Sequence, residues 1–239
     1  MKNLRLRNAL SLSLNIAIVF FVGIAVYYNL RNDVIRDAAW FGYTGLKSLV
    51  FFTNLSNILI AVTSAITIFF NFRNVAQDRF EFPTVFKIIK YTSTVAIALT
   101  CITVVFFLAP YAAFLGHSYF DLFKRNNIYT HFLVPVIAII NFAAVESDGS
   151  FGFKKVFYGI IPTFIYSIVY LVMVVIIGEA NGGWVDFYGF TFGGRLWTIP
   201  ISFIGMYIAT FGISAMLFII QKKICEKRNK RNKTLEESK

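Results

Sequence analysis

The chain has 239 residues, of which 57% are hydrophobic, 18% aromatic and only 15% charged. That composition excludes an ordinary soluble domain and indicates a membrane protein. The formal net charge of +11 would suggest nucleic acid in a soluble chain, but here the basic residues lie in short segments between apolar runs and in the tail. There they report topology, and no nucleic-acid partner is expected.

In chain order, Met1 to Arg7 is short and basic and leads into an apolar segment longer than a signal-peptide core, with no small-x-small cleavage motif. It reads as an uncleaved first span. Six stretches are apolar and long enough to cross a bilayer, near residues 9–29, 46–70, 88–109, 128–145, 157–177 and 199–220. The N-terminus, the second loop (Arg73, Arg79, Lys87, Lys90), the fourth loop (Lys154, Lys155) and the tail together hold 17 Lys and Arg, against 6 in the alternate loops. The expected fold is therefore an all-α integral membrane protein, a bundle of six transmembrane helices with both termini cytoplasmic, in the plasma membrane. One domain covers residues 1–221, and residues 222–239 form a basic cytoplasmic tail suited to anionic lipid headgroups. Cys225 in that tail is a candidate for lipid attachment.

The odd-numbered loops face outside and are aromatic, with Trp40, Tyr43, Tyr111, Tyr119, Phe120, Trp184, Phe187, Tyr188 and Trp197 as interfacial belt residues. Gly182-Gly183 and Gly193-Gly194 give the last of these loops the turn freedom of a mobile lid. Cys101 and Cys225 are placed too differently to pair, and with His117 and His131 they make no metal-ligand set. No metal and no cofactor is expected.

The second span carries an unusual polar run, Thr53-Asn54-Leu55-Ser56-Asn57. At roughly 100° per residue, Ser56, Asn57, Ser64 and Thr67 fall within about 60° of Thr53, so one polar stripe must face the bundle core. Asn54 lies about 100° off and lines an adjacent wall. His131 is the histidine within a span, and Pro135 four residues on lacks the N–H that would bond the His131 carbonyl, so a kink is expected. Spans two and four run in the same direction, and Thr53 and His131 differ in depth by only about 6 Å at roughly 1.5 Å per residue.

A hydroxyl beside an imidazole is the minimum for nucleophilic acyl transfer. Asn54 and Asn57 are candidates for the oxyanion and Asn127, one turn from His131, for orienting its ring. Ser56, Tyr166, Tyr170 and Arg195 are substrate-binding candidates, with Lys124 and Arg125 as further partners for a carboxylate. The same polar residues also serve as interhelical glue in many membrane proteins. Two alternatives stand beside an enzyme. One is a non-enzymatic transporter or lipid-binding membrane protein using the same polar core; it is disfavoured by the lack of an inverted repeat, of a second interrupted helix at a matching position and of any acidic residue deep inside a span for ion coupling. The other is a structural or partner-binding protein with no enclosed polar cavity.

Phe51-Phe52-Thr53-Asn54-Leu55-Ser56-Asn57, Thr130-His131-Phe132-Leu133-Val134-Pro135, Tyr158-Gly159-Ile160-Ile161-Pro162-Thr163-Phe164-Ile165-Tyr166 and Asp186-Phe187-Tyr188-Gly189-Phe190 resemble bacterial relatives of the androgen-induced protein family, which includes the androgen-dependent TFPI-regulating protein. The resemblance spans about residues 45–220. It implies a membrane hydrolase of fatty acid esters of hydroxy fatty acids, with Thr53 as nucleophile and His131 as its base. The asparagines after the threonine depart from the animal members, which leaves the substrate open.

Overall fold

The computed structural model describes residues 2–31 and 45–237. Trp40 and Tyr43 of the expected aromatic belt lie outside the described residues. Six helices follow one another: α1 (Lys2–Leu30), α2 (Phe52–Ala76), α3 (Thr84–Phe114), α4 (Tyr129–Glu146), α5 (Phe153–Ile177) and α6 (Thr198–Glu237). Each contains a stretch long and apolar enough to cross a membrane, and no strand occurs among the described residues. Large apolar side chains such as Phe69, Phe106, Phe107, Ile204 and Ile208 are exposed on the outside of the bundle. A surface of that kind, on six helices long and apolar enough to cross a membrane, suits the interior of a bilayer.

The helix boundaries follow local chemistry. Pro83 precedes α3, where its missing N–H and fixed φ suit a first helical turn. At Pro135 the expected distortion takes the form of a π turn over Tyr129–Leu133, which widens the helix just before the ring. Further π turns interrupt α3 at Val104–Leu108 and α5 at Val172–Ile177. These turns widen the helices locally but leave each span continuous. α6 passes residue 221 without a break, so the last span and the tail are one helix.

α3 is the central element and touches α2, α4, α5 and α6. From Ser93 to Thr100 every residue is buried, and the run Ser93-Thr94-Val95-Ala96-Ile97-Ala98 is rich in small side chains that let neighbours approach closely. One core cluster joins Tyr91, Val95 and Leu99 of α3 to Phe142, Phe151, Ile213 and Leu217; another joins Ile97 to Ile18, Val22, Ile60, Val134 and Ala138. Gly159 marks the tightest crossing. A Cβ there would stand 2.3 Å from Ser214 Oγ, so only glycine fits where α5 meets α6.

Both termini lie at one end of the bundle, drawn together by two arginines. Arg7 donates to the carbonyls of Val145 and Ser147 (2.6 Å each), and Arg228 donates to the Ser147 carbonyl. These guanidinium groups satisfy the open carbonyls at the C-terminal end of α4. Cys225 sits beside them, 2% exposed and in contact with Ser147. That burial removes it as a lipid-attachment site.

Lys90 departs from its expected place. It is not a loop charge but lies in α3 at 3% exposure.

Candidate functional site

Thr53 and His131 sit at the end of the bundle opposite the termini. The polar stripe of α2 faces inward: Ser56, Asn57, Ser64 and Thr67 are each at most 2% exposed, while Thr53 is half-buried. The start of α2 has no side-chain cap of its own. Instead the Phe52 N–H donates to the Tyr188 hydroxyl at 3.1 Å, so a distant loop supplies the missing acceptor.

Asn57 ties α2 to α4. Its Nδ2 donates to the Thr53 carbonyl (2.8 Å) and to the Thr130 carbonyl (3.2 Å). Those two bonds set an upper limit of about 6 Å between the carbonyls of Thr53 and the residue preceding His131. Both N–H groups of the amide are thereby occupied, which corrects its assignment as an oxyanion donor. What it leaves open is the opposite atom: Oδ1 is buried with no partner among the described residues.

His131 is half-buried, and its Nδ1 lies 2.7 Å from the carbonyl oxygen of Leu122. A carbonyl can only accept, so Nδ1 carries the proton and Nε2 presents its lone pair. The ring is held edge-on by Phe123, with centroids 6.5 Å apart. Leu122, not Asn127, is thus the orienting group; the Asn127 backbone carbonyl accepts from Thr130 Oγ1 at 3.3 Å. Among the described residues the Thr53 hydroxyl makes no hydrogen bond, to His131 or to any other group.

Asn54 and Asn126 belong to an amide chain across the same end. Asn126 donates to Asn29 Oδ1 (2.9 Å), Asn29 to Asn54 Oδ1 (3.4 Å), and Asn54 to the Ser48 carbonyl (2.7 Å). Asn54 keeps one amide N–H and so remains an oxyanion candidate. Ser56 is directed elsewhere. Its hydroxyl bonds Thr100 Oγ1 at 2.8 Å and its own helix at the Thr53 carbonyl, a packing contact between α2 and α3 and not a substrate contact.

Tyr166 and Tyr170 are tethers for the loop that follows α5. Tyr166 donates to the Val50 carbonyl and Tyr170 to Asp186 Oδ1, both at 2.7 Å. Asp186 also accepts from the Phe190 and Thr191 N–H groups and from Thr191 Oγ1. Burial opposes its charge, but these hydrogen bonds outweigh burial and hold the carboxyl below its usual range. Burial likewise pushes the Tyr188 hydroxyl up to about 12. Of the four glycines in this loop, Gly183 is held close to the end of α5, where a Cβ would stand 2.1 Å from the Met173 carbonyl, whereas Gly182, Gly193 and Gly194 stand in open space with positive φ. Arg195 and Arg125 are exposed, and Lys124 pairs with Asp121 at 2.6 Å. None of the three enters the site.

No protein-family model, curated protein or solved structure matches this chain.

A second polar constellation lies at the terminus-bearing end. Glu146 is the last residue of α4 and is 7% exposed, a buried acid at the end of a span and not deep inside one. Its Oε1 accepts from Asn15 Nδ2 (2.7 Å), Ser11 Oγ (3.1 Å) and Asn141 Nδ2 (2.9 Å). Lys90 Nζ donates to Asn15 Oδ1 (2.7 Å) and Ser64 Oγ (2.9 Å). The signals in the sequence were Ser11 and Asn15 one turn apart in an apolar helix and Lys90 almost two turns beyond Pro83. No group of three or more His, Cys, Asp or Glu placed to hold a metal occurs among the described residues.

Proposed function

We propose that the chain is an intramembrane lipid-ester hydrolase with Thr53 as nucleophile and His131 as general base. The observation that carries the reading is the tautomer of His131. With Nδ1–H held by the Leu122 carbonyl, Nε2 is the ring's acceptor, in the layer where Asn57 ties α2 to α4 and the Thr53 hydroxyl is unbonded. The resemblance of the Thr53 and His131 motifs to the androgen-induced protein family supports the same pair and a fatty acid ester of a hydroxy fatty acid as substrate.

In this reaction Thr53 Oγ1 attacks the ester carbonyl while Nε2 of His131 takes its proton, directly or through one water. The tetrahedral intermediate collapses to an acyl-threonine, and the imidazolium returns that proton to the departing alcohol. A water molecule, deprotonated by the same Nε2, then attacks the acyl carbonyl; the intermediate breaks its bond to Thr53 Oγ1, which recovers the proton from the imidazolium as the fatty acid leaves. The remaining N–H of Asn54 stabilises the developing oxyanion. The buried Oδ1 of Asn57, which has nothing to accept from, holds the attacking water. The exposed Phe and Ile faces of the helices admit an acyl chain from the bilayer. In the topology that places the basic end in the cytoplasm, this site opens to the outer leaflet of the plasma membrane.

The test is hydrolysis of fluorogenic lipid esters by purified protein. Thr53→Ala and His131→Ala are each expected to lower the rate at least about 100-fold, and a covalent hydrolase probe should label wild type but not Thr53→Ala. Activity near the wild-type rate in Thr53→Ala refutes the assignment. The alternative is a binding or transport protein, for which Glu146 and Lys90 at the terminus-bearing end are the buried charges. That reading predicts lipid binding without probe capture.

A further inference from the structure

The buried charges at the terminus-bearing end take no part in ester chemistry, because they stand at the far end of α2 and α4 from Thr53 and His131. Lys90 and Glu146 do not touch. The Asn15 amide separates them, taking a bond from Lys90 on its oxygen and giving one to Glu146 from its nitrogen. A pair retained only for its attraction would be in direct contact, since desolvating both charges is compensated only in close geometry.

The carboxylate is also asymmetric. Oε1 holds three donors, whereas Oε2 has none among the described residues. Glu146 and Lys90 both line a cavity of about 20 Å³ together with Thr67, Lys87, Phe82 and Phe86. That volume accommodates roughly one water molecule. Lys87 leads from the cavity to the surface, where it is 20% exposed and paired with Asp148.

We propose that Glu146 is a reversible proton-binding site, reached from the terminus-bearing face through a single water in this cavity, with Lys90 as its counter-ion. Protonation forms an O–H bond at Oε2; the proton comes from surface water by way of the cavity water, which gives up one proton as it receives another. Deprotonation reverses these steps, and no other reactant is needed. Intramembrane carboxylates with a named cationic partner and a water path are the parts of proton relays.

The charged groups around Glu146 are Lys90 and Lys87 of α3, which line the same cavity, and Arg7 of α1, which feels its charge; Arg228 and Cys225 of α6 and Asp148 after α4 act on Arg7, and Asp148 pairs with Lys87. α2 contributes the hydroxyls of Ser64 and Thr67 and no ionisable group. Of these charges, Lys90 is joined to Glu146 through the Asn15 amide.

The experiment is infrared difference spectroscopy on full-length protein in lipid nanodiscs, with carboxyl-labelled glutamate, scanned from about pH 9 to about pH 4. A buried protonated carboxyl band is expected to appear as pH falls, to vanish in Glu146→Gln and to persist in Thr53→Ala. In Lys90→Gln the loss of the cation makes the acid form easier, so the midpoint is expected to rise by at least about one pH unit, a tenfold change in proton affinity. Should Glu146→Gln fail to fold, the labelled wild type and Lys90→Gln give the result. Absence of any titrating buried carboxyl in wild type, or an unmoved midpoint in Lys90→Gln, overturns the proposal. Neither result depends on ester hydrolysis.

Discussion

Replacing Asn57 with leucine separates catalysis from packing. Leucine has nearly the shape of asparagine but none of its polar atoms. The substitution removes two bonds, at 2.8 and 3.2 Å, from a side chain 1% exposed. Hydrogen bonds between membrane helices contribute about 0.6 kcal/mol each on average and at most about 1.7. The combined loss is therefore about 1 to 2 kcal/mol. Against it stands the gain from removing an amide oxygen that is buried without a partner, about 1 to 3 kcal/mol. Thr53 keeps its bond from Ser56 Oγ, so its carbonyl is not orphaned. The net change lies between a loss of about 1 kcal/mol and a gain of about 2 kcal/mol, which for a chain of this size lowers Tm by no more than about 4 °C or raises it by no more than about 8 °C. Hydrolysis should nevertheless fall roughly 100-fold, because a 1 Å misplacement of reacting groups has that effect. Thermal unfolding followed by tryptophan fluorescence, beside the lipid-ester assay, reads both. A Tm loss above about 8 °C would show Asn57 to be a net packing residue, and turnover within a few-fold of wild type would show that the α2–α4 tie is not needed for chemistry.

Three other outcomes are expected. Burial opposes the Asp148 charge, but Lys87 and Ser150 prevail and bring its carboxyl to about 2. Its contribution is complete above the unfolded value of about 4 and disappears as pH falls toward 2; for a group this exposed, solvent screening leaves about 1 kcal/mol. Wild type should therefore lose Tm over that interval, a step that Asp148→Asn lacks while starting about 2 to 4 °C lower at neutral pH. Tyr188→Phe deprives the Phe52 N–H of its acceptor and should cost about 1 kcal/mol, with faster amide exchange confined to the first turn of α2; unchanged exchange there would remove the capping role. Gly159→Ala forces a Cβ into Ser214 and should cost about 1 to 3 kcal/mol, and a neutral effect in thermal unfolding would mean that α5 and α6 are not in close contact there.

The features legible in the sequence were those with a periodic or compositional signal. The six apolar runs are flanked by charge, and the stripe Ser56, Asn57, Ser64 and Thr67 repeats at helical spacing, so spans and core face could both be read. The orienting partner of His131 could not, because a backbone carbonyl at Leu122 leaves no trace in residue type. Lys90 resembled a topology-setting loop charge. Its burial depends on Asn15, 75 residues away, a relation that no local window contains. Tyr166 and Tyr170 looked like cavity residues because aromatic spacing cannot tell a binding wall from the underside of a docked loop.

The unbroken α6 has a mechanical consequence. Forty residues at roughly 1.5 Å each make a rod of about 60 Å, twice the hydrocarbon thickness of about 30 Å. The projecting part is therefore a stiff lever with its fulcrum where Ser214 receives the Tyr91 hydroxyl and Cys225 meets Ser147. A surface that attracts the basic tail applies torque at these contacts, which couple α6 to Ser147, next to Glu146, and to Tyr91 of α3.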